Sequence, residues 1–230
     1  MTKQCEMYPV PNPFSTRYIR PGAIGYLFEP GDSAEKVVRR LADFGRKAQI
    51  IGPHGSGKST LVAELLAALG HAGKRPLLVA LHDGERSMPR DWVSQARALS
   101  AGIVVVDGYE QLSYLSRWRL NARCRRHGWG LLVTSHKDVG LPTLSTLAPD
   151  LPTAQQVVER LLSSGIDTIS RETVAECFAS TDGNMREMLF TLYDRYEGRG
   201  SGQTSSVTMV ASVPLVAPAT SVTHRSTGGC

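Results

Sequence analysis

The sequence predicts a three-layer α/β fold around a parallel sheet, followed by a small C-terminal helical lid subdomain. Short apolar runs at 48–51, 77–81, 103–106 and 131–134 are separated by 20 or more residues of helical pattern. Runs that are apolar throughout, rather than alternating, suit strands covered on both faces. After Pro152 the strand-like runs stop and only helical stretches remain. The 230 residues, 41% hydrophobic and 20% charged, can build one substantial core with an appended subdomain.

Residues 1–47 read as an N-terminal strap and a leading helix. The first 30 residues are rich in Pro, Gly and aromatics, which favours an extended strap over a sheet element. From Asp32 the pattern turns helical, with Val37, Val38, Leu41 and Phe44 on one face and Asp32 or Ser33 as the cap. Residues 48–150 form the core domain, which opens as strand, glycine-rich loop and helix, with Leu61, Val62, Leu65, Leu66 and Leu69 on one helix face. Residues 151–197 form the lid, with helices expected at Ala154–Leu162, Arg171–Phe178 and Met185–Tyr196. In the last, Met185, Met188, Leu189, Leu192, Tyr193 and Tyr196 make an apolar stripe. From Gly198 a Gly, Ser, Thr, Val and Pro-rich sequence reads as a disordered tail. Its apolar stretch Val207–Pro218 is broken by Pro214 and Pro218.

Composition excludes several classes. No window approaches the roughly 18 apolar residues of a spanning helix, so no membrane partner is expected. Met1–Pro13 shows no apolar run behind a basic start, which predicts a cytoplasmic location. Cys5, Cys124, Cys177 and Cys230 have neither zinc-ligand nor disulfide-framework spacing and read as reduced thiols. The 26 Lys and Arg against 21 Asp and Glu leave +5, which tolerates nucleic acid without demanding it.

The chemistry rests on Gly52, Pro53, His54, Gly55, Ser56, Gly57, Lys58, Ser59 and Thr60, which match the pattern GxxxxGK[ST] between a strand and a helix. The glycines let successive N–H groups point at a polyphosphate, and the helix adds its positive N-terminal end. Lys58 would reach the β and γ phosphates, and the Ser59 hydroxyl would bind Mg²⁺. Asp107, at the end of a buried run, supplies the second metal-side group. The expected cofactors are therefore ATP and Mg²⁺.

With the strand at 77–81 between the loop and the Asp107 strand, the chain resembles the P-loop NTPase division that carries an additional strand and a catalytic glutamate. In that division a Glu usually follows the Asp directly, whereas here Gly108 does. Glu110 and Glu85 are the substitutes, and another residue or the absence of any base are the remaining alternatives. Thr134 or Ser135, in Thr134-Ser135-His136, stands where the resemblance places the γ-phosphate sensor. His136 is similar to the histidine after the equivalent strand of ABC-type ATPases, but no LSGGQ-like signature precedes the Asp strand. Asp182-Gly-Asn-Met-Arg186-Glu187 resembles the AAA+ lid segment in which an Arg touches the γ phosphate. Asn184 and Glu187 also read as a helix cap with its closing partner.

The resemblance to AAA+-type ATPases spans about residues 48–197. It implies five parallel strands, the fifth at Thr143–Leu147, adenine near the strap, and often ring assembly. Arg117, Arg119, Arg123, Arg125 and Arg126 lie in a stretch without acids, a candidate nucleic-acid contact or a reach toward a neighbouring subunit. The trans-acting arginine of the family normally follows the sensor strand, where only Lys137 stands. The sequence thus predicts an ATP-binding protein, an AAA+-like ATPase driving a conformational switch, with a protein partner or a second copy reading its state. The alternatives are a nucleotide-binding scaffold with little turnover and a small-molecule phosphotransferase.

Overall fold

The computed structural model describes residues 12–162 and 169–200. The expected tail beyond Gly200, with Val207–Pro218 and Cys230, and the start of the strap with Cys5 lie outside these residues.

The chain enters through a strap containing a single helical turn, α1 (Thr16–Ile19), before α2 (Ala34–Asp43). The expectation of a wholly extended strap is corrected by that turn. Ser33 caps α2 by accepting from the Lys36 N–H. Strand β1 (Lys47–Ile51) runs into the glycine-rich loop and α3 (Lys58–His71), followed by β2 (Pro76–Ala80), α4 (Trp92–Ala98) and β3 (Ile103–Asp107). After a 3₁₀ turn at Tyr109–Gln111 come α5 (Tyr114–His127), β4 (Gly130–Ser135) and the short β5 (Thr143–Thr146). Helices α6 (Leu151–Leu162), α7 (Arg171–Ser180) and α8 (Met185–Gly200) complete the described chain. Helix α8 runs past Gly198, so the expected tail boundary falls inside it.

The sheet is parallel throughout, in the order β2-β3-β4-β1-β5. The strand between the phosphate-loop strand and the Asp107 strand is therefore β4. Strand β2, which stands between them in the chain as expected, lies at the sheet edge with alternating burial. Strand β3 is apolar from Ile103 to Val106 and β4 from Leu131 to Val133 because both their faces are covered, and their polar ends face the crevice. Ile50, Val105 and Leu132 pack with Val37, Leu41, Leu61 and Leu65 of α2 and α3. Val104, Val106, Leu131 and Val133 face the other way, toward Trp92 and Ala96 of α4 and Leu120 and Cys124 of α5.

A third core forms among α6, α7 and α8 around Ala154, Val158, Val174, Cys177, Met188 and Leu192. The strap joins it by burying Phe14, and Asn12 ties the strap to α8 by donating to the Tyr193 carbonyl and Glu197. Farther along, the Tyr26 N–H donates to Glu64 of α3, so the strap touches both the sheet side and the helical trio. Burial pushes the Cys124 thiol up to about 12 and raises that of Cys177, so both stay protonated. Among the described residues, no helix is long and apolar enough to cross a membrane.

Candidate nucleotide site

The candidate site lies at the C-terminal ends of the strands, where parallel sheets leave a crevice. Leaving β1, the chain turns through Gly55 (φ +68) and Gly57 (φ +87), both in the left-handed region that favours glycine. Helix α3 begins at Lys58, so the free N–H groups of its first turn face the loop. Ser56 adds a buried hydroxyl without a hydrogen-bond partner.

Lys58 is almost fully buried and folds back over its own loop. Its Nζ donates to the Gly52 and Pro53 carbonyls, both at 2.7 Å, and lies 3.3 Å from His136 Nδ1. Burial lowers its pKa, and the carboxylates of Glu110 and Asp107 oppose that shift. Because an ammonium only donates, we assign His136 Nδ1 as the acceptor, which leaves Nε2–H to donate to Glu110 Oε1 at 2.8 Å. The His136 ring lies against His54, with centroids 3.7 Å apart and planes tilted by 34°. Glu110 Oε2 is buried without a partner.

Asp107 links three elements. Its Oδ2 accepts from the Ser59 hydroxyl at 2.7 Å, and its Oδ1 accepts from the Thr134 hydroxyl. Thr134 Oγ1 in turn accepts from the Gly108 N–H at 2.9 Å. The Thr134 hydroxyl is thereby committed to Asp107, and Ser135 accepts from the Lys137 N–H. Of the polar strand-end trio, His136 is the side chain directed at the loop.

The structure also gives the reason for glycine after Asp107. Gly108 has φ +86, and a Cβ there would come within 2.9 Å of the Leu81 carbonyl. The chain turns sharply at that point, and the carboxylate nearest the loop belongs to Glu110. Arg117 secures this turn by donating to the Glu110 and Leu112 carbonyls while its guanidinium covers the Tyr109 ring. It is thus an inward-facing structural arginine and not part of a solvated basic face. Glu85 is exposed and closes its own turn by accepting from the His82 N–H at 2.8 Å. A cleft of about 730 Å³, lined by His54, Glu110, Arg117, His136 and Lys137 among others, opens beside the loop.

Helix α8 reaches the same place. Asn184 Oδ1 caps it by accepting from the Arg186 and Glu187 N–H groups, while the Asn184 N–H donates to the Thr181 carbonyl. The expected reciprocal closure by Glu187 is replaced by that backbone bond. The Arg186 guanidinium lies over the Phe190 ring, 5.7 Å from its centroid. A Cβ on Gly55 would come within 1.8 Å of Asn184 Oδ1. Gly55→Ala is therefore expected to cost about 2–4 kcal/mol, through a strained φ and displacement of the α8 cap. Gly31, with φ +87 and open space around it, serves as the control. When both variants are compared with the parent by urea titration, Gly31→Ala should cost only about 1–2 kcal/mol.

These residues suit a polyphosphate: a glycine turn, a helix N-terminus, an orphaned hydroxyl and a lysine occupying its own loop. For a metal ion, no group of three His, Cys, Asp or Glu converges among the described residues. The Ser59 hydroxyl and Asp107 carboxylate still fit Mg²⁺, which takes few protein ligands and completes its shell with phosphate oxygens and water. Sequence reasoning missed the pairing of His136 with Glu110 and its contact with His54. The only signal was a histidine immediately after a polar strand end.

Strand order, phosphate loop and flanking helices define the class as the α/β nucleotide-binding fold of AAA+ ATPases, which the chain resembles. No protein-family model and no curated protein matches the chain. Among solved structures, a DNA replication initiation factor is similar at a TM-score of 0.50 and 14% identity, covering 76% of this chain and 69% of its own. The replication initiator DnaA bound to AMPPCP and single-stranded DNA gives 0.48 and 13%, covering 77% and 71%. AMPPCP-bound DnaA from Aquifex aeolicus gives 0.48 and 15%, covering 77% and 68%. At 14% identity, the likeness at a TM-score of 0.50 bears on the fold alone.

Proposed function

We propose that the chain binds MgATP in this crevice and hydrolyses it, switching the helical trio and the strap between two arrangements. The observation that carries the reading is the Ser59–Asp107 hydrogen bond, which brings the start of α3 and the end of β3 together as one metal-side pair. Lys58 leaves the Gly52 and Pro53 carbonyls to grip the β and γ phosphates, and the loop N–H groups hold their remaining oxygens. Mg²⁺ held by Ser59 and Asp107 supplies charge neutralisation on the phosphate oxygens. Glu110 accepts the proton of the attacking water as its oxygen bonds to the γ phosphorus and the bond to the β-phosphate oxygen breaks. Thr134 keeps Asp107 in place, and Arg186 swings from Phe190 toward the γ phosphate as α8 moves. A second copy or a protein partner reads the resulting state.

A nucleotide-binding scaffold with little turnover is the second reading, favoured by the engagement of Glu110 with His136. Steady-state phosphate release from the full chain with MgATP decides between them. In the ATPase reading, Asp107→Asn lowers release by about 10²-fold or more and removes the Mg²⁺ dependence of nucleotide affinity. Tight binding without release in the parent would sink the hydrolytic reading.

A further inference from the structure

The end of the sheet opposite the crevice carries a different chemistry. Four chain segments meet there, residues 39–47, 70–76, 97–103 and 123–130, and together they hold ten Lys and Arg against one acid, Asp43. The crevice end has the reverse balance, with Asp83, Glu85, Asp91, Asp107, Glu110, Asp138 and Asp150 against Lys58, Arg86, Arg90 and Lys137. The molecule is therefore electrically polarised along its strands.

Backbone hydrogen bonds tie the cationic segments into one edge. The Leu131 N–H donates to the Arg46 carbonyl, the Gly130 N–H to Gly102, and the Gly102 N–H to Arg75. Arg46 and Arg75 thus stand three strand spacings apart, about 14 Å, across a floor of two glycines. Arg97 lies 3.5 Å from His127, which stacks on Trp129. Desolvation, followed by the charges of Arg97, Arg126 and Arg123, lowers the His127 pKa, which places three guanidinium groups around that ring. Arg46 donates to the Gly128 carbonyl and holds a left-handed φ of +62 that a glycine would adopt without strain.

Among the described residues, the ion pairs involve Arg40, His136, Arg171 and Arg195, so of the ten edge cations Arg40 alone, paired with Asp32, has a carboxylate partner. Cations in a last helical turn complement the helix dipole. That accounts for Arg97, Arg125 and Arg126, but Arg46, Lys47, Lys74 and Arg75 lie beyond the helix ends.

We propose that this edge, framed by Arg46, Lys74, Arg75, Arg97, Arg123 and Arg126, binds the phosphate backbone of a nucleic acid. Five of the six are arginines, whose planar fork matches phosphate oxygens in pairs. An anionic membrane is disfavoured because the half-exposed apolar residues at this end, Phe44 and Leu99, follow helices on opposite faces of the sheet and form no joint patch. The inference does not depend on ATP hydrolysis, since the edge and the crevice lie at opposite strand ends.

The test is fluorescence anisotropy of the full chain with a labelled single strand and a labelled duplex of about 20 nucleotides, between 50 and 200 mM salt. With five or six phosphates neutralised, log K should fall against log salt with a slope of about −4 to −5, several hundred-fold over that range. Arg97→Gln/Arg126→Gln and, separately, Lys74→Gln/Arg75→Gln should each reduce the slope by about 2 and leave MgATP binding intact. Trp118→Ala/Arg119→Gln, on the exposed part of α5 nearer the crevice, should leave the slope unchanged. Unaltered slopes in both edge variants would overturn the proposal. So would loss confined to the Trp118/Arg119 pair, absence of binding at 50 mM salt, or binding to phosphatidylserine vesicles alone.

Discussion

Glu110→Gln is expected to lower steady-state phosphate release by about 10²–10⁴-fold while leaving nucleotide affinity within a few-fold of the parent. Glutamine keeps the shape and can still accept from His136 Nε2–H, so the 3₁₀ turn and its Arg117 clamp should persist. It cannot take a proton from water. The buried, unpartnered Oε2 is the oxygen that would do so, because Oε1 is already occupied by His136. Glu85→Gln serves as the control, since its carboxylate is exposed and closes its own turn. Equal losses in both variants, or loss in Glu85→Gln alone, would remove Glu110 from the mechanism.

Lys58→Ala should weaken MgATP binding by about 10²–10⁴-fold. Two charge-assisted contacts to phosphate at about 1.5–3 kcal/mol each set that range. Without nucleotide, Lys58 satisfies the Gly52 and Pro53 carbonyls, so its removal also loosens the loop. The two effects separate in a urea titration. A loop effect alone would lower stability and leave the ratio of ATP to ADP affinity unchanged, whereas loss of a γ-phosphate contact lowers that ratio.

The phosphate loop was legible in sequence because its requirements are local. Glycines at two left-handed positions, a lysine at the first helical residue and a hydroxyl beside it all fall within nine residues. The parallel sheet was legible for a related reason, since strands buried on both faces leave runs such as Ile103–Val106 with no polar alternation. Spatial strand order was not legible. The run at 77–81 follows the loop in the chain, yet β4, far later, inserts between β1 and β3.

That insertion decides the site. It brings Thr134 under Asp107 and carries His136 to both Lys58 and Glu110, contacts between residues 26 to 78 positions apart that no local pattern announces. The close approach of Gly55 to Asn184 is hidden for the same reason, because the cap of α8 looks identical whether or not a loop lies against it. The role of Gly108 was invisible too, since the obstructing Leu81 carbonyl lies in the connection after another strand. The acid-free stretch from Arg117 to Arg126 reads in sequence as one candidate contact. The structure divides it between the inward clamp Arg117 and Arg123 and Arg126 at the far edge.

Isothermal titration of the full chain with ATP, with Mg²⁺ present and then chelated, tests the central claim most directly. One binding site per chain is predicted, weakened on chelation in the parent, insensitive to chelation in Asp107→Asn and lost in Lys58→Ala. No binding by the folded parent, or binding that Lys58→Ala leaves unchanged, would contradict a nucleotide site built on Gly52–Thr60.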